Sequence, residues 1–125
     1  MRLVVLESPY AGDVDVNIDY ARACVRDCLR RGEAPIASHL LFTQPGVLRD
    51  NAPEEQALGI AAGHAWIARA DAVVVYVDRG VSPGMRAGID HARAMGMEID
   101  YRSLSGAVVV CESAADGTPV SLPNA

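Results

Sequence analysis

The chain has 125 residues, a formal net charge of −5 and an apolar content of 50%. This length fits one domain with its own hydrophobic core, and the charged fraction of 22% argues against disorder. All eleven basic residues are arginine. Mechanisms that need a lysine amine, such as a Schiff base or a Walker-type phosphate loop, are therefore excluded.

The charge pattern also limits the partners. An acidic chain without a basic cluster is a poor ligand for polymeric nucleic acid, so a small anionic molecule is the better candidate. No apolar stretch approaches the length of a membrane span, and Arg2 begins a strand where a secretory signal would need a longer apolar region. We expect a cytoplasmic protein without a membrane partner.

Cysteine spacing gives no metal site. Cys24 and Cys28 lie four residues apart in a helical pattern, but no His or Cys pair elsewhere has matching spacing. Buried apolar thiols are the better interpretation, and we expect neither a metal nor a cofactor.

In the first half of the chain, strand and helix patterns alternate. An apolar run at the start is typical of a buried strand, and apolar residues then recur at helical spacing until Gly32. The predicted elements are a strand at 2–7, a helix from Val14 to Gly32, a strand at Pro35–Ser38, a loop at His39–Asn51 and a helix at Pro53–Ala68.

The second half continues the alternation. Its strongest signal is the β-branched run at 71–77, which is apolar on both faces, as a central parallel strand should be. The predicted elements are a strand at Asp71–Val77, a loop at 78–84, a helix at Met85–Met95, and strands at Met97–Arg102 and Ala107–Cys111.

This order predicts an α/β fold, a three-layer sandwich whose parallel sheet has four to five strands. We expect one domain over residues 1–113 and a mobile tail or late hairpin over 114–125. Ligands of such sheets bind beyond the carboxyl ends of the strands. Polar and aromatic residues gather in the loops that follow three predicted strands, namely Ser8, Tyr10, Asp13, Ser38, His39, Phe42, Thr43, Asp78, Arg79, Ser82 and Gly84.

Several of these loop residues suit a nucleotide. Ser82 stands at a helix start, where its hydroxyl can cap and free amides can bind a phosphate; a plain cap is an equal alternative. Tyr10 and Phe42 suit stacking on a base, although each can instead close the edge of the core. His39 can orient a base or hydroxyl or serve structurally, while His64, His91 and Trp66 are interpreted as structural.

The sequence resembles the small nucleoside 2-deoxyribosyltransferase-like proteins of phages and bacteria, over residues 2 to about 104. The resemblance depends on the order and spacing of short motifs. These are Ser8-Pro9-Tyr10, Asn17, Tyr20-Ala21, Pro35, His39-Leu40, Thr43-Gln44, Pro53-Glu54-Glu55, Gly59, Gly63, Ser82-x-Gly84-Met85 and Tyr101-Arg102.

The resemblance implies a flavodoxin-like fold, a homo-oligomer, and action on the N-glycosidic bond of a deoxynucleoside or its 5′-phosphate. It implies substrate-binding roles for Ser8, Tyr10, Asn17, His39, Phe42, Ser82, Gly84 and Met85. A phage-encoded member would act in the host cytoplasm.

In catalytic members of that family, a glutamate four residues after the motif glycine attacks the anomeric carbon. That position is Gly88 here, so the nucleophile is missing, and Asp90 lies about 200° around the helix from it. Three explanations remain open. The chain is a binder that lost catalysis, it uses another carboxylate such as Asp78 or Glu54, or Gly88 is an engineered change. A purely structural or partner-binding domain fits the clustered polar loops less well.

Overall fold

The computed structural model of the chain describes residues 1–106 and 110–112. Strands and helices alternate as the sequence predicts, except that a short helix is added after the second strand. They are β1 Arg2–Glu7, α1 Val14–Arg30, β2 Glu33–Ile36, α2 Ser38–Leu41, α3 Pro53–Ile67, β3 Ala72–Tyr76, α4 Pro83–Ala94, β4 Glu98–Arg102 and β5 Cys111–Glu112.

The five strands form one mixed sheet in the order β2-β1-β3-β4-β5. The first four strands are parallel, and β3 lies at the centre, which confirms the α/β prediction and the central position of this strand. The fifth strand differs from the expectation of a parallel strand, because β5 pairs with β4 in the antiparallel direction. An antiparallel strand at the edge of a parallel sheet is a common arrangement.

Helices cover both faces of the sheet and form two core clusters. On one face, Cys24 and Cys28 of α1 pack against alternate residues of β1 and β3. On the other face, α3 and α4 contribute Ile67, Met85 and Ile89 to a second cluster. All five residues of β3 are buried, as expected for a strand that contacts helices on both sides.

The prediction for the second strand was wrong in its bounds. The strand ends at Ile36, and the backbone turns directly into the short helix α2 at Ser38, where the sequence predicts a loop from His39. The Ala37 carbonyl accepts hydrogen bonds from the amides of Leu40 and Leu41, which closes this helical turn. Pro35 is tolerated because β2 is an edge strand.

Two further predictions concern the end of the chain. The predicted strand Ala107–Cys111 overlaps β5 only at Cys111, and residues 107–109 and 113–125, including the predicted tail, lie outside the described residues.

Cys24 and Cys28 are buried free thiols, whereas Cys111 is exposed. Among the described residues, no helix is both long and apolar enough to cross a membrane.

Candidate functional site

A cavity of about 370 Å³ opens beside the carboxyl end of β1. The strand order changes direction between β1 and β3, and open α/β sheets bind ligands at such a switch point. The volume lies within the usual range for small-molecule sites. The cavity is lined by Glu7, Ser8, Tyr10, Ala11, Ser38, His39, Phe42, Thr43, Leu48, Arg49, Asp50, Glu55, Gln56, Gly59, Ile60, Gly63, His64, Ser82, Pro83, Gly84 and Met85.

The loop after β1 and the helix α2 meet in one hydrogen bond inside the cavity. Ser8 Oγ lies 2.6 Å from His39 Nε2, and Ser8 is buried. Burial lowers the pKa of His39 to about 4, so the imidazole is neutral at pH 7. A neutral ring offers Ser8 either a donor or an acceptor, depending on its tautomer.

Ser82 caps the helix that forms another wall. Its hydroxyl oxygen accepts a hydrogen bond from the Met85 amide at 3.3 Å, which is the cap that the sequence predicts. Pro83, Gly84 and Met85, which form the first turn of α4, also line the cavity. The positive end of the α4 dipole therefore borders the same space as the Ser8–His39 pair.

Aromatic and aliphatic side chains supply the rest of the wall. Tyr10 and Phe42 are each half-buried and reach the cavity from different loops. Leu48 and Ile60 line it from the segment before α3 and from α3 itself. Flat rings beside aliphatic groups suit the faces of a planar aromatic ligand.

Glu7, the last residue of β1, contributes a carboxylate to the cavity wall. This carboxylate lies against the backbone of Gly88 in the middle of α4. A Cβ placed on Gly88 would lie 2.8 Å from Glu7 Cδ, and closer still to Oε1. The Glu7 side chain therefore fills the volume that a side chain at position 88 would enter.

The surroundings of the Glu7 carboxylate leave its oxygens accessible. Within the parts of the chain that the structure describes, it forms no hydrogen bond or ion pair, yet neither of its oxygens is sealed from solvent. The oxygens therefore remain open to a ligand in the cavity. Burial raises the pKa of Glu7 to about 8, because the ionised form loses hydration without gaining a cation.

Two residues expected in the site lie outside the cavity lining. The Asn17 amide group donates to the backbone oxygens of Tyr10 and Ala11 and accepts from Arg79, so it holds the loop that carries Tyr10. Asp78 accepts hydrogen bonds from Tyr20 and Ser103. Burial alone would raise the pKa of Asp78, but these bonds and the Leu104 amide lower it.

The other predicted residues are brought together. Ser8, Tyr10, His39, Phe42, Ser82, Gly84 and Met85 all line the cavity, while Gly88 lies behind Glu7. Glu54, considered as an alternative carboxylate, is exposed and outside the lining. Sequence analysis missed Glu7 and the contribution of α3, including His64, which stacks on His91 with ring centroids 4.8 Å apart.

The strand order defines a flavodoxin-like α/β fold, with a cavity at its switch point. The chain belongs to the family described as a domain of unknown function, DUF7768, whose model matches residues 2–102. None of the curated proteins matches the chain significantly.

Among solved structures, the chain is similar to a 2-deoxyribosyltransferase from the psychrotolerant bacterium Bacillus psychrosaccharolyticus. The match has a TM-score of 0.56 and 14% sequence identity, and covers 86% of this chain and 77% of that chain. That enzyme is described as a biocatalyst for the synthesis of antiviral and antitumoral nucleosides. At this identity the similarity establishes the fold.

Proposed function

We propose that the chain binds a small nucleoside or nucleoside monophosphate and acts on its N-glycosidic bond, as a nucleoside 2-deoxyribosyltransferase-like protein. The observation that carries the proposal is the convergence of aromatic side chains, a helix N-terminus and an unpaired carboxylate on one cavity. The aromatic side chains suit the base, the helix N-terminus suits a 5′-phosphate, and the carboxylate suits the sugar. The similarity in fold to a 2-deoxyribosyltransferase supports the same class.

In this proposal the base lies between Tyr10 and Phe42, with Leu48 and Ile60 against its edges. A 5′-phosphate or 5′-hydroxyl faces the first turn of α4, where the Gly84 amide and the Ser82 hydroxyl can donate to it, because the Met85 and Arg86 amides already donate to Ser82. The sugar then lies between these two groups, beside Glu7 and the Ser8–His39 pair. The cavity volume of about 370 Å³ suits a ligand of this size.

The charges of the wall favour a ligand with few phosphates. Asp50 and Glu55 contribute carboxylates, and Arg49 already pairs with Glu55 at 2.8 Å, while Glu7, with a pKa of about 8, is mostly protonated at pH 7. His39 is neutral at pH 7. A triphosphate would therefore add four negative charges to an already acidic cavity, so we expect a nucleoside or monophosphate to bind more tightly.

A thermal-shift panel of deoxynucleosides, ribonucleosides, their 5′-mono- and triphosphates and dinucleotides tests the binding. A ligand at 100 times its Kd adds about 2.7 kcal/mol to the apparent stability. Phe42→Ala should reduce the shift, whereas Leu29→Ala, at an exposed position of α1 on the opposite face, should leave it unchanged. Absence of any shift across the panel would refute the proposal.

A second candidate function is a non-catalytic module that captures a nucleotide or a nucleotide-derived signal. Gly88 favours it, because the family resemblance places the nucleophilic glutamate at this position. Such a module would show the same thermal shifts but would return the ligand unchanged. Chromatography of the ligand after prolonged incubation separates the two functions.

A further inference from the structure

Glu7 contacts Gly88, the position at which the family resemblance places the nucleophilic glutamate. The two residues belong to different elements, β1 and α4, and meet at the cavity wall. Because Gly88 has no side chain, the Glu7 carboxylate reaches the space over this part of α4. A side chain on α4 and the side chain of Glu7 cannot both occupy that space.

We propose that Glu7 is the catalytic nucleophile of this chain, supplied from β1 in place of a glutamate at position 88. This inference depends on the proposed function, because it requires a nucleoside in the cavity. Glu7 lines the cavity, has oxygens that remain open to it, and lacks a cation or donor that would occupy those oxygens within the described residues.

The other carboxylates near the site meet these conditions less well. Asp78 is held by hydrogen bonds outside the cavity lining, and Asp90 faces solvent beside Arg93. Glu55 lines the cavity but pairs with Arg49, and Asp50 lines it as an exposed residue of the segment before α3. Glu7 is therefore the carboxylate that combines a partly buried position in the cavity wall with freedom to react.

The reaction has two balanced steps. In the first, a Glu7 oxygen forms a bond to C1′ of the deoxyribose while the C1′–N bond breaks; the base leaves with that electron pair and takes a proton from water. In the second, a water molecule attacks C1′, the C1′–O bond to Glu7 breaks, and the water releases a proton to solvent. A second base in place of water gives transfer instead of hydrolysis.

Base release from 2′-deoxyadenosine, 2′-deoxycytidine and their 5′-monophosphates, measured by chromatography, gives the first test. Glu7→Gln should lower the rate by about 100-fold or more while keeping the thermal shift with ligand. Asp90→Asn, which removes an exposed carboxylate from α4, is the matched control and should keep the rate. The double variant Glu7→Ala/Gly88→Glu should regain activity over Glu7→Ala, because it returns a carboxylate to the same space.

A covalent label shows whether the sugar is attached to residue 7 or to residue 88. The result for the unmodified chain does not depend on the folding of the double variant. A 2′-fluoro-arabino nucleoside slows release of the bound sugar, and trypsin cuts this lysine-free chain only after arginine. The label should appear on peptide 3–22, which contains Glu7, and in the double variant on peptide 87–93.

The outcomes separate the two proposals. Base release that survives in Glu7→Gln, or a label on another peptide of the unmodified chain, overturns the role of Glu7 and leaves the proposed function standing. Thermal shifts without any base release overturn that role and favour the capture module. The absence of thermal shifts with every ligand overturns the proposed function itself.

Discussion

Glu7 Cδ lies 2.8 Å from the point at which a side chain on Gly88 would begin. Replacing a mid-helix glycine by alanine normally stabilises a helix by about 1 kcal/mol. Here the new methyl group must displace the Glu7 carboxylate. Since that carboxylate ends a flexible side chain, we expect Gly88→Ala to keep the fold, with a small change in Tm, but to reduce base release by about 10-fold or more.

Gly84→Ala is the matched control for stability. Its added Cβ would meet only Ser82 Oγ, at 4.0 Å, so no side chain has to move. Thermal melts of both variants make the comparison of stability, and base release is compared between Gly88→Ala and the unmodified chain. Full activity in Gly88→Ala would contradict the account of this contact.

The half-buried carboxylate of Glu7 should make stability depend on pH. Its pKa is about 8 in the folded chain and 4.5 ordinarily, so the folded state disfavours ionisation. Stability is therefore lost as pH rises from about 4.5 to about 8. Glu7→Gln removes this loss, so its stability advantage should grow between pH 5 and pH 9 by on the order of 1–3 kcal/mol. Urea unfolding across this range measures it, and a constant difference would contradict the burial of Glu7.

The same pKa predicts the pH profile of the reaction. A nucleophile must be ionised, and a group with a pKa of about 8 is only about a tenth ionised at pH 7. Base release should rise close to tenfold per pH unit below about 7 and level off above pH 8. A rate that falls as pH rises over this range would instead indicate a protonated acid as the essential group.

His39 should remain neutral well below the usual range for histidine. Burial lowers the pKa of its imidazole to about 4, and Ser8 Oγ lies 2.6 Å from its Nε2. Its NMR signals, assigned by their loss in His39→Gln, should not shift between pH 7.5 and pH 5.5. Titration near pH 6.5 would mean that the ring is hydrated.

The Ser82 cap should contribute measurably to stability. Ser82→Ala removes the acceptor for the Met85 amide and should cost about 1 kcal/mol, whereas Ser82→Gly should cost only a few tenths. Urea unfolding of the two variants gives the comparison. Equal costs would show that the hydroxyl contributes little as a cap.

We also expect self-association through α3, the homo-oligomer that the family resemblance implies. Leu58, Ile60 and Trp66 are large apolar side chains left exposed on this helix. A helix with apolar residues on all sides is normally covered, and a second copy of the chain would cover it. Light scattering should show an oligomer that Trp66→Glu dissociates and that Val16→Glu, on α1, leaves intact. A monomer at all working concentrations would contradict this.

Much of the fold followed from local patterns. The β-branched run Ala72–Tyr76 identified the central strand, and Ser82 with Pro83 marked the start of α4. The short helix α2 was missed because its four residues are too few to show a helical period. The direction of β5 depends on pairing with β4, which local sequence does not encode.

The site was predicted in outline from the loops that follow the strands, but its central carboxylate was not. The available signal in the sequence was a charged residue, Glu7, at the carboxyl end of an apolar strand, where ligands of parallel sheets bind. Its importance comes from contact with Gly88 on a distant helix, which only the fold reveals. Asn17 and Asp78 were selected by motif and by residue type, yet neither lines the cavity: Asn17 holds the loop that carries Tyr10, and Asp78 accepts from Tyr20.

The most direct test of the account is a crystal structure of Glu7→Gln with a 2′-deoxynucleoside 5′-monophosphate bound. The account predicts the base between Tyr10 and Phe42, the phosphate at the first turn of α4, and C1′ within about 3.5 Å of the residue 7 side chain, as a near-attack geometry requires. A ligand bound outside this cavity, or bound inside it with C1′ turned away from residue 7, would contradict the account.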